Sequence, residues 1–182
     1  MIGQDEWVNA AAAALGNGGV EAVRVEALAR DLGVTKGSFY WHFADRAALL
    51  EALLTRWEAG SHALLASAAA AATPAQRLGT LFRGIARGSG GVTDAEVFSW
   101  ARRERAIAER VAEVERARVV FVKEQLTALG VPLMDAHRRA EAAYLAAVGW
   151  LERAGRTPWM KSDYGAFLDD VVRLLLRMQA SP

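Results

Sequence analysis

Val25-Glu-Ala-Leu-Ala-Arg-Asp-Leu-Gly-Val-Thr-Lys-Gly-Ser-Phe-Tyr-Trp-His-Phe43 contains two short helical patterns and the turn that joins them. Ala27, Leu28 and Leu32 recur at helical spacing, and Gly33 follows as the residue that ends a helix in the left-handed conformation without a Cβ clash. Thr35 stands where the next helix begins, and its hydroxyl is expected to cap a free N–H of the first turn. Two helices separated by so short a turn make a helix-turn-helix. Each residue advances about 100° around a helix, so Phe39 and Phe43 share one face while Gly37, Ser38 and Trp41 lie roughly opposite. Tyr40 and His42 flank that outer face, Lys36 starts it, and no carboxylate occurs from Val34 to Ala44. Small residues, hydrogen-bonding aromatics and a cation on an outward helix suit close approach to a polyanion. A purely structural role for the aromatics would need a second wall beyond Trp41, since Phe39 and Phe43 already occupy the core-facing positions.

The surrounding residues strengthen this reading. Trp7, Ala10, Ala11 and Gly19 precede the stretch; Leu28-Ala29, the run Gly33 to Phe43, Arg46 and Leu49-Leu50 complete it. In this register the segment resembles the DNA-binding domain of the tetracycline-repressor (TetR) family of bacterial transcription regulators. The resemblance implies an all-α protein of about nine helices, with a three-helix DNA-binding head over residues 1–60 and a helical effector-binding and dimerisation body over 61–182. It also implies that Tyr40, His42 and Arg46 hold phosphates while Lys36, Gly37, Ser38 and Trp41 lie nearest the base edges. Thr35 belongs to the same surface. Arg24 takes a position where the family usually has Thr or Ser; no hydroxyl cap is expected there, but its guanidinium can meet phosphate.

Composition neither suggests nor forbids such a partner. The 182 residues are 53% hydrophobic with a net charge of +1, enough for a substantial core. Residues 1–60 hold five Lys/Arg against eight Asp/Glu, so the proposed head is net acidic, yet four of the five cations fall between Arg24 and Arg46. Binding is therefore expected to depend on where charges sit rather than on a general positive field. Cysteine is absent, which removes disulfides and thiolate chemistry. No signal peptide or membrane span is expected, and the location is read as cytoplasmic.

Beyond the head, Asp45 is a fitting N-cap for a long fourth helix carrying Leu49, Leu50, Leu53, Leu54 and Trp57. Pro74 fits the first turn of the fifth. Gly88-Ser-Gly-Gly91 breaks the chain and reads as a loop rather than a phosphate cradle, because it lacks a following Lys and a preceding strand. A sixth helix starts near Thr93. The seventh, about Arg105 to Leu129, places Arg118 and Gln125 at the centre of its apolar stripe, where polar groups need partners. Those partners are either structural or a ligand. Phe82, Phe98, Trp100, Arg118, Phe121, Gln125 and Tyr144 are the candidate ligand contacts.

Helix eight, after Pro132, and helix nine, about Asp163 to Gln179, have too little polar surface for single-faced helices. Ala142, Ala146, Gly149, Trp150, Leu168, Val172 and Leu176 are the expected contacts of a four-helix bundle across a two-fold axis, an arrangement the resemblance also implies. Catalysis finds no local motif. His42, His62 and His137 lie on separate segments without metal-ligand spacing, and neither a metal nor a cofactor is expected. The expected function is a ligand-responsive homodimeric repressor of a palindromic operator. The alternative is a helical small-molecule-binding or dimerisation protein without sequence-specific DNA binding.

Overall fold

The computed structural model describes residues 2–88, 92–157 and 163–177. Among the described residues all regular structure is helical: α1 Gln4–Gly18, a 3-10 turn Val20–Ala22, α2 Val25–Asp31, α3 Lys36–Phe39, α4 Arg46–Ala69, α5 Pro74–Arg87, α6 Asp94–Ala101, α7 Arg105–Ala128, α8 Leu133–Arg156 and α9 Tyr164–Arg177. The loop assigned to 88–91 and the end of helix nine beyond residue 177, Met178 included, fall largely outside the described residues.

Local chemistry sets the boundaries. Gly33, at φ 69°, ends α2 in a Schellman turn: Val34 N–H donates to Ala29 O at 2.9 Å and Gly33 N–H to Arg30 O at 3.1 Å. The Asp45 carboxylate accepts from Ala48 N–H at 2.8 Å and starts α4. Thr73 and Gln76 cap α5 reciprocally at 3.2 Å in each direction, with Pro74 in the first turn.

Two expectations about α3 change. Thr35 occupies the N-cap position but its hydroxyl caps nothing, because Ser38 N–H is taken by the Thr35 carbonyl at 3.0 Å in a tight single turn. The α-helix also stops at Phe39, and Tyr40 to His42 continue as turns. The coil remains tight enough that Phe43 N–H reaches Phe39 O at 3.0 Å, so the two Phe side chains still share a face.

The apolar side chains divide into two cores. The first joins α1, α2, α3 and the first half of α4 to Val92, Val97 and Trp100 and to Ile107, Val111 and Val114 of α7. The second joins the end of α4 to α5, the rest of α7, α8 and α9. Helix α6 and the start of α7 thus share a core with the head, so the division of packing does not follow the chain division expected at residue 60. Helices α4 and α5 cross closely at Gly84, where a Cβ would lie 2.0 Å from a Leu64 methyl.

One buried polar cluster stands between the cores. Arg118 is 1% exposed and Asp94 4%. Its Nη1 and Nη2 donate to the two Asp94 oxygens at 2.5 and 3.2 Å, Nη2 also reaches Ser61 Oγ at 3.1 Å, and Trp57 Nε1–H donates to Asp94 Oδ1 at 3.0 Å. Burial works against the Arg118 charge, but Asp94 outweighs it and leaves the guanidinium pKa above its ordinary value. Helices α4, α6 and α7 are therefore tied through one ion pair.

Candidate functional site

The outward face of the head is mounted on rings. Phe39 is fully buried, with its centroid 5.2 Å from Trp7 at 76°, 5.3 Å from Tyr40 at 81° and 5.5 Å from Phe43 at 25°. These contacts fix the short α3 more firmly than four helical residues could alone. Above them Trp41 is 88% exposed and Tyr40 54% exposed. Arg24, Thr35, Lys36 and Gly37 are exposed as well, and Ser38, His42 and Arg46 are half-buried. An apolar indole this bare, on a turn that the core holds still, costs solvation and adds nothing to folding.

The cations are less free than their positions suggest. Lys36 Nζ donates to Glu26 Oε1 at 2.5 Å; the shared hydrogen bond holds the Glu26 carboxyl below its ordinary pKa and raises that of Lys36. Arg46 turns inward, with Nε on Val23 O at 2.6 Å and Nη2 on Val20 O at 2.5 Å. It thereby pins the 3-10 turn to the start of α4. Arg24 caps nothing with its side chain.

In the body, four of the seven expected ligand contacts come together. Phe82, Phe98, Arg118 and Tyr144 line a small void of about 10 Å³, together with Leu81, Ile85, Asp94, Val119, Val122, Ala147, Val148, Leu151 and Tyr164. The other three do not. Trp100 packs into the first core and donates to Glu104 at 2.8 Å. Phe121 packs half-buried on the second core. Gln125 donates to Phe121 O at 3.3 Å and accepts from Arg77 at 3.4 Å, which in turn holds Ala71 O at 2.8 Å, so its work is to bind the α4–α5 turn to α7. Tyr144 donates to Glu115 at 2.7 Å; burial first, then that carboxylate, raise its pKa, as burial and Asp94 raise that of Tyr164. Sequence reasoning missed Asp94, Ser61 and Tyr164. Asp94 looked like an ordinary acidic first-turn residue, and nothing local distinguishes it.

The expected bundle contacts on α8 and α9 separate into two groups. Ala142 and Gly149 are exposed and Ala146 is half-buried. Trp150 stacks on Phe167 at 4.3 Å within the subunit. Leu168 and Val172, at 0% and 8% exposure, lie inside the body, and Leu176 packs against the same core. Helix α9 packs on α5 as well as α8, so its inner arc widens to take Leu168, Val171, Val172 and Leu175 and leaves Leu174 60% exposed. Leu174, Val171, Ala142, Ala143 and Ala146 line a groove of about 510 Å³ between α8 and α9, edged by Asp135, Arg138 and Arg139.

Among the described residues no group of His, Asp and Glu could hold a metal ion, and no helix is long and apolar enough to cross a membrane.

Residues 8–53 match the family model described as bacterial regulatory proteins, tetR family. No curated protein sequence matches the chain. Solved structures of similar fold include a transcriptional regulator from Rhodococcus sp. Rha1, at TM-score 0.75 and 18% identity over 100% of both chains. The fatty acid degradation regulator of Bacillus halodurans has TM-score 0.66 and 19% identity over 98% of this chain and 97% of its own. A TetR-family transcriptional regulator from Streptomyces coelicolor has TM-score 0.65 and 17% identity over 95% and 96%. The head thus matches the tetR family of bacterial regulatory proteins over residues 8–53, and the chain along its length has the all-α fold of solved transcriptional regulators.

Proposed function

We propose that the protein is a ligand-responsive repressor that binds a palindromic operator as a homodimer in the bacterial cytoplasm and is released by a small-molecule effector. The observation that carries this reading is the bare Trp41 beside Tyr40, whose ring packs edge-on against the buried Phe39 of the Trp7–Phe39–Phe43 cluster. Trp41, Gly37, Ser38 and Lys36 would approach base edges; Tyr40, His42 and Arg24 would hold phosphate. Arg46 would act mainly by positioning the head, given its two inward hydrogen bonds. Two such heads about 34 Å apart would meet successive major grooves.

A second copy is supported by the α8/α9 groove, whose exposed Leu174 and small Ala142 and Ala146 suit close helix packing. Leu145 and Gly149 extend that exposed face on α8. Effector control is supported by the void beside the Asp94–Arg118 pair, since a ligand there would act on the contact that joins α6 and α7 to α4. Its leverage is limited to its differential affinity for the two arrangements of the dimer.

A helical binding protein that does not read DNA is favoured by one observation, the engagement of Lys36 by Glu26 within an acidic head. Selection from random DNA separates the two. A palindromic consensus, bound with an affinity that falls steeply as salt rises, is the expected result. Enrichment of no sequence, with binding no tighter than to bulk DNA, would leave the second reading.

A further inference from the structure

Two cavities meet at Tyr164. The small void holds space for about one water-sized atom. Beside it a surface groove of about 370 Å³ runs along the seam between head and body, with Leu15 and Gly16 of α1 on one side and Ala95 and Ser99 of α6 on the other. Ile85, Asp94, Leu151 and Tyr164 line both spaces, which adjoin at these residues.

Two buried donors on residues that line the void have no partner: the Tyr164 hydroxyl and Arg118 Nε–H. Tyr164 is 7% exposed and Arg118 1%. Donors left unmade in such a place are costly, and an acceptor that reaches them gains accordingly. Charge is already balanced. Both Asp94 oxygens are taken by Arg118, and one also by Trp57, so the pair is neutral as a unit. A carboxylate entering here would bury a second anion beside Asp94, and an ammonium would face two donors. The remaining lining is apolar, with Leu81, Phe82, Ile85 and Phe98, apart from Tyr144, whose hydroxyl already donates to Glu115.

We propose that the void and the seam groove are one binding site for an uncharged, mainly apolar ketone or ester, whose carbonyl oxygen enters the void to accept from Tyr164 and Arg118 Nε while its body lies along Leu15 and Gly16 of the head. This rests on the effector role proposed above and names the effector's chemical class and seat. The seat also gives the ligand a direct hold on the head. Glu96 lies over Gly16, its Oε1 only 2.7 Å from where a Cβ would stand, and it lines the groove, so a molecule seated there would lie against the contact between α1 and α6.

Acetophenone, ethylbenzene and benzoate are probes of similar size that differ in the polar group. Titration calorimetry on the full chain should give saturable binding of acetophenone about five- to tenfold tighter than ethylbenzene, with benzoate weaker than both. Tyr164→Phe removes an unpaired hydroxyl, should leave the melting temperature unchanged or raised, and should reduce the ketone preference to within about twofold. Ala95→Trp, which fills the groove, should abolish binding of both neutral probes while the chain still melts cooperatively. Benzoate binding as tightly as acetophenone, a ketone preference that survives Tyr164→Phe, binding indifferent to Ala95→Trp, or no saturable binding of either neutral probe would overturn the site. Operator affinity is measured separately. Probe binding with the stated preference but without effect on DNA would support the site and overturn the effector role.

Discussion

The head core and the body core differ in what fills them. Trp7, Phe39, Phe43, Trp57 and Trp100 are buried in the first, whereas the interior of the second is aliphatic chains and Ala136, Ala140, Ala143 and Ala147 along α8, with Phe82 and Tyr164 as its buried rings and Phe121, Tyr144, Trp150 and Phe167 half-buried at its margin. Interlocked rings leave few alternative rotamers and fix whatever is attached to them. Alanines let helices approach but fill little space, and the void and the α8/α9 groove lie on that side. A DNA-reading surface needs a mount that does not move, while a ligand-responsive body needs packing that can. The Asp94–Arg118 pair, with Trp57 from the first core, is where one material meets the other.

The largest test of this contrast removes the mount. Phe39→Ala should cost about 3–5 kcal/mol in chemical denaturation, because a fully buried ring leaves a cavity its rigid neighbours cannot fill. DNA binding should fall with it even in the fraction still folded, since the Tyr40 ring, next to Trp41, packs against Phe39. A loss under about 1.5 kcal/mol would mean that the head repacks easily and that the contrast is wrong.

The joint between the cores comes next. Arg118→Met should cost about 3–5 kcal/mol, chiefly by stranding the Asp94 carboxylate in a buried site. The double variant Arg118→Met with Asp94→Leu should recover most of that loss, because two well-packed apolar chains replace a neutral pair. Equal destabilisation of single and double variants, measured by urea titration, would assign the cost to lost packing rather than to the unpaired charge.

Much of this organisation was legible from short-range signals. Asp45, Pro74 and Gly33 announce helix ends because capping is settled within a few residues. Trp41 could be placed outside because Phe39 and Phe43 claim the other face. Arg118 could be flagged as needing a partner, but not assigned one: Asp94 lies across a helix junction, 24 residues away in the chain. The same limit explains Leu168 and Val172. Both lie on an apolar arc, and which part of that arc faces inward depends on α5, a neighbour the α9 sequence does not encode. Lys36 was read from its position at the helix start; that Glu26 lies within reach follows only from the angle between α2 and α3.

The α9 correction makes the body's outer surface testable. Leu174→Glu should convert a dimer to a folded monomer in sedimentation velocity, as the charge falls in the exposed α8/α9 groove. Val172→Glu should instead lower the melting temperature sharply, since that side chain is buried within the subunit. If Leu174→Glu leaves the dimer intact, the groove is not the subunit contact.

The smallest effect lies in the head. Glu26 and Lys36 are both solvent-exposed, so their ion pair adds little to folding, but it occupies the cation that starts α3. Phosphate and Glu26 compete for the same ammonium, and the Glu26 carboxylate beside it also repels the polyanion. Glu26→Gln should therefore leave the melting temperature nearly unchanged and raise operator affinity a few-fold, about two- to fivefold at low salt, with the gain shrinking as salt screens it. Fluorescence anisotropy across a salt series reads both quantities. Unchanged or weaker binding would mean that Glu26 serves to aim Lys36 rather than to restrain it, and the acidic head would then be reading DNA through the geometry of that pair.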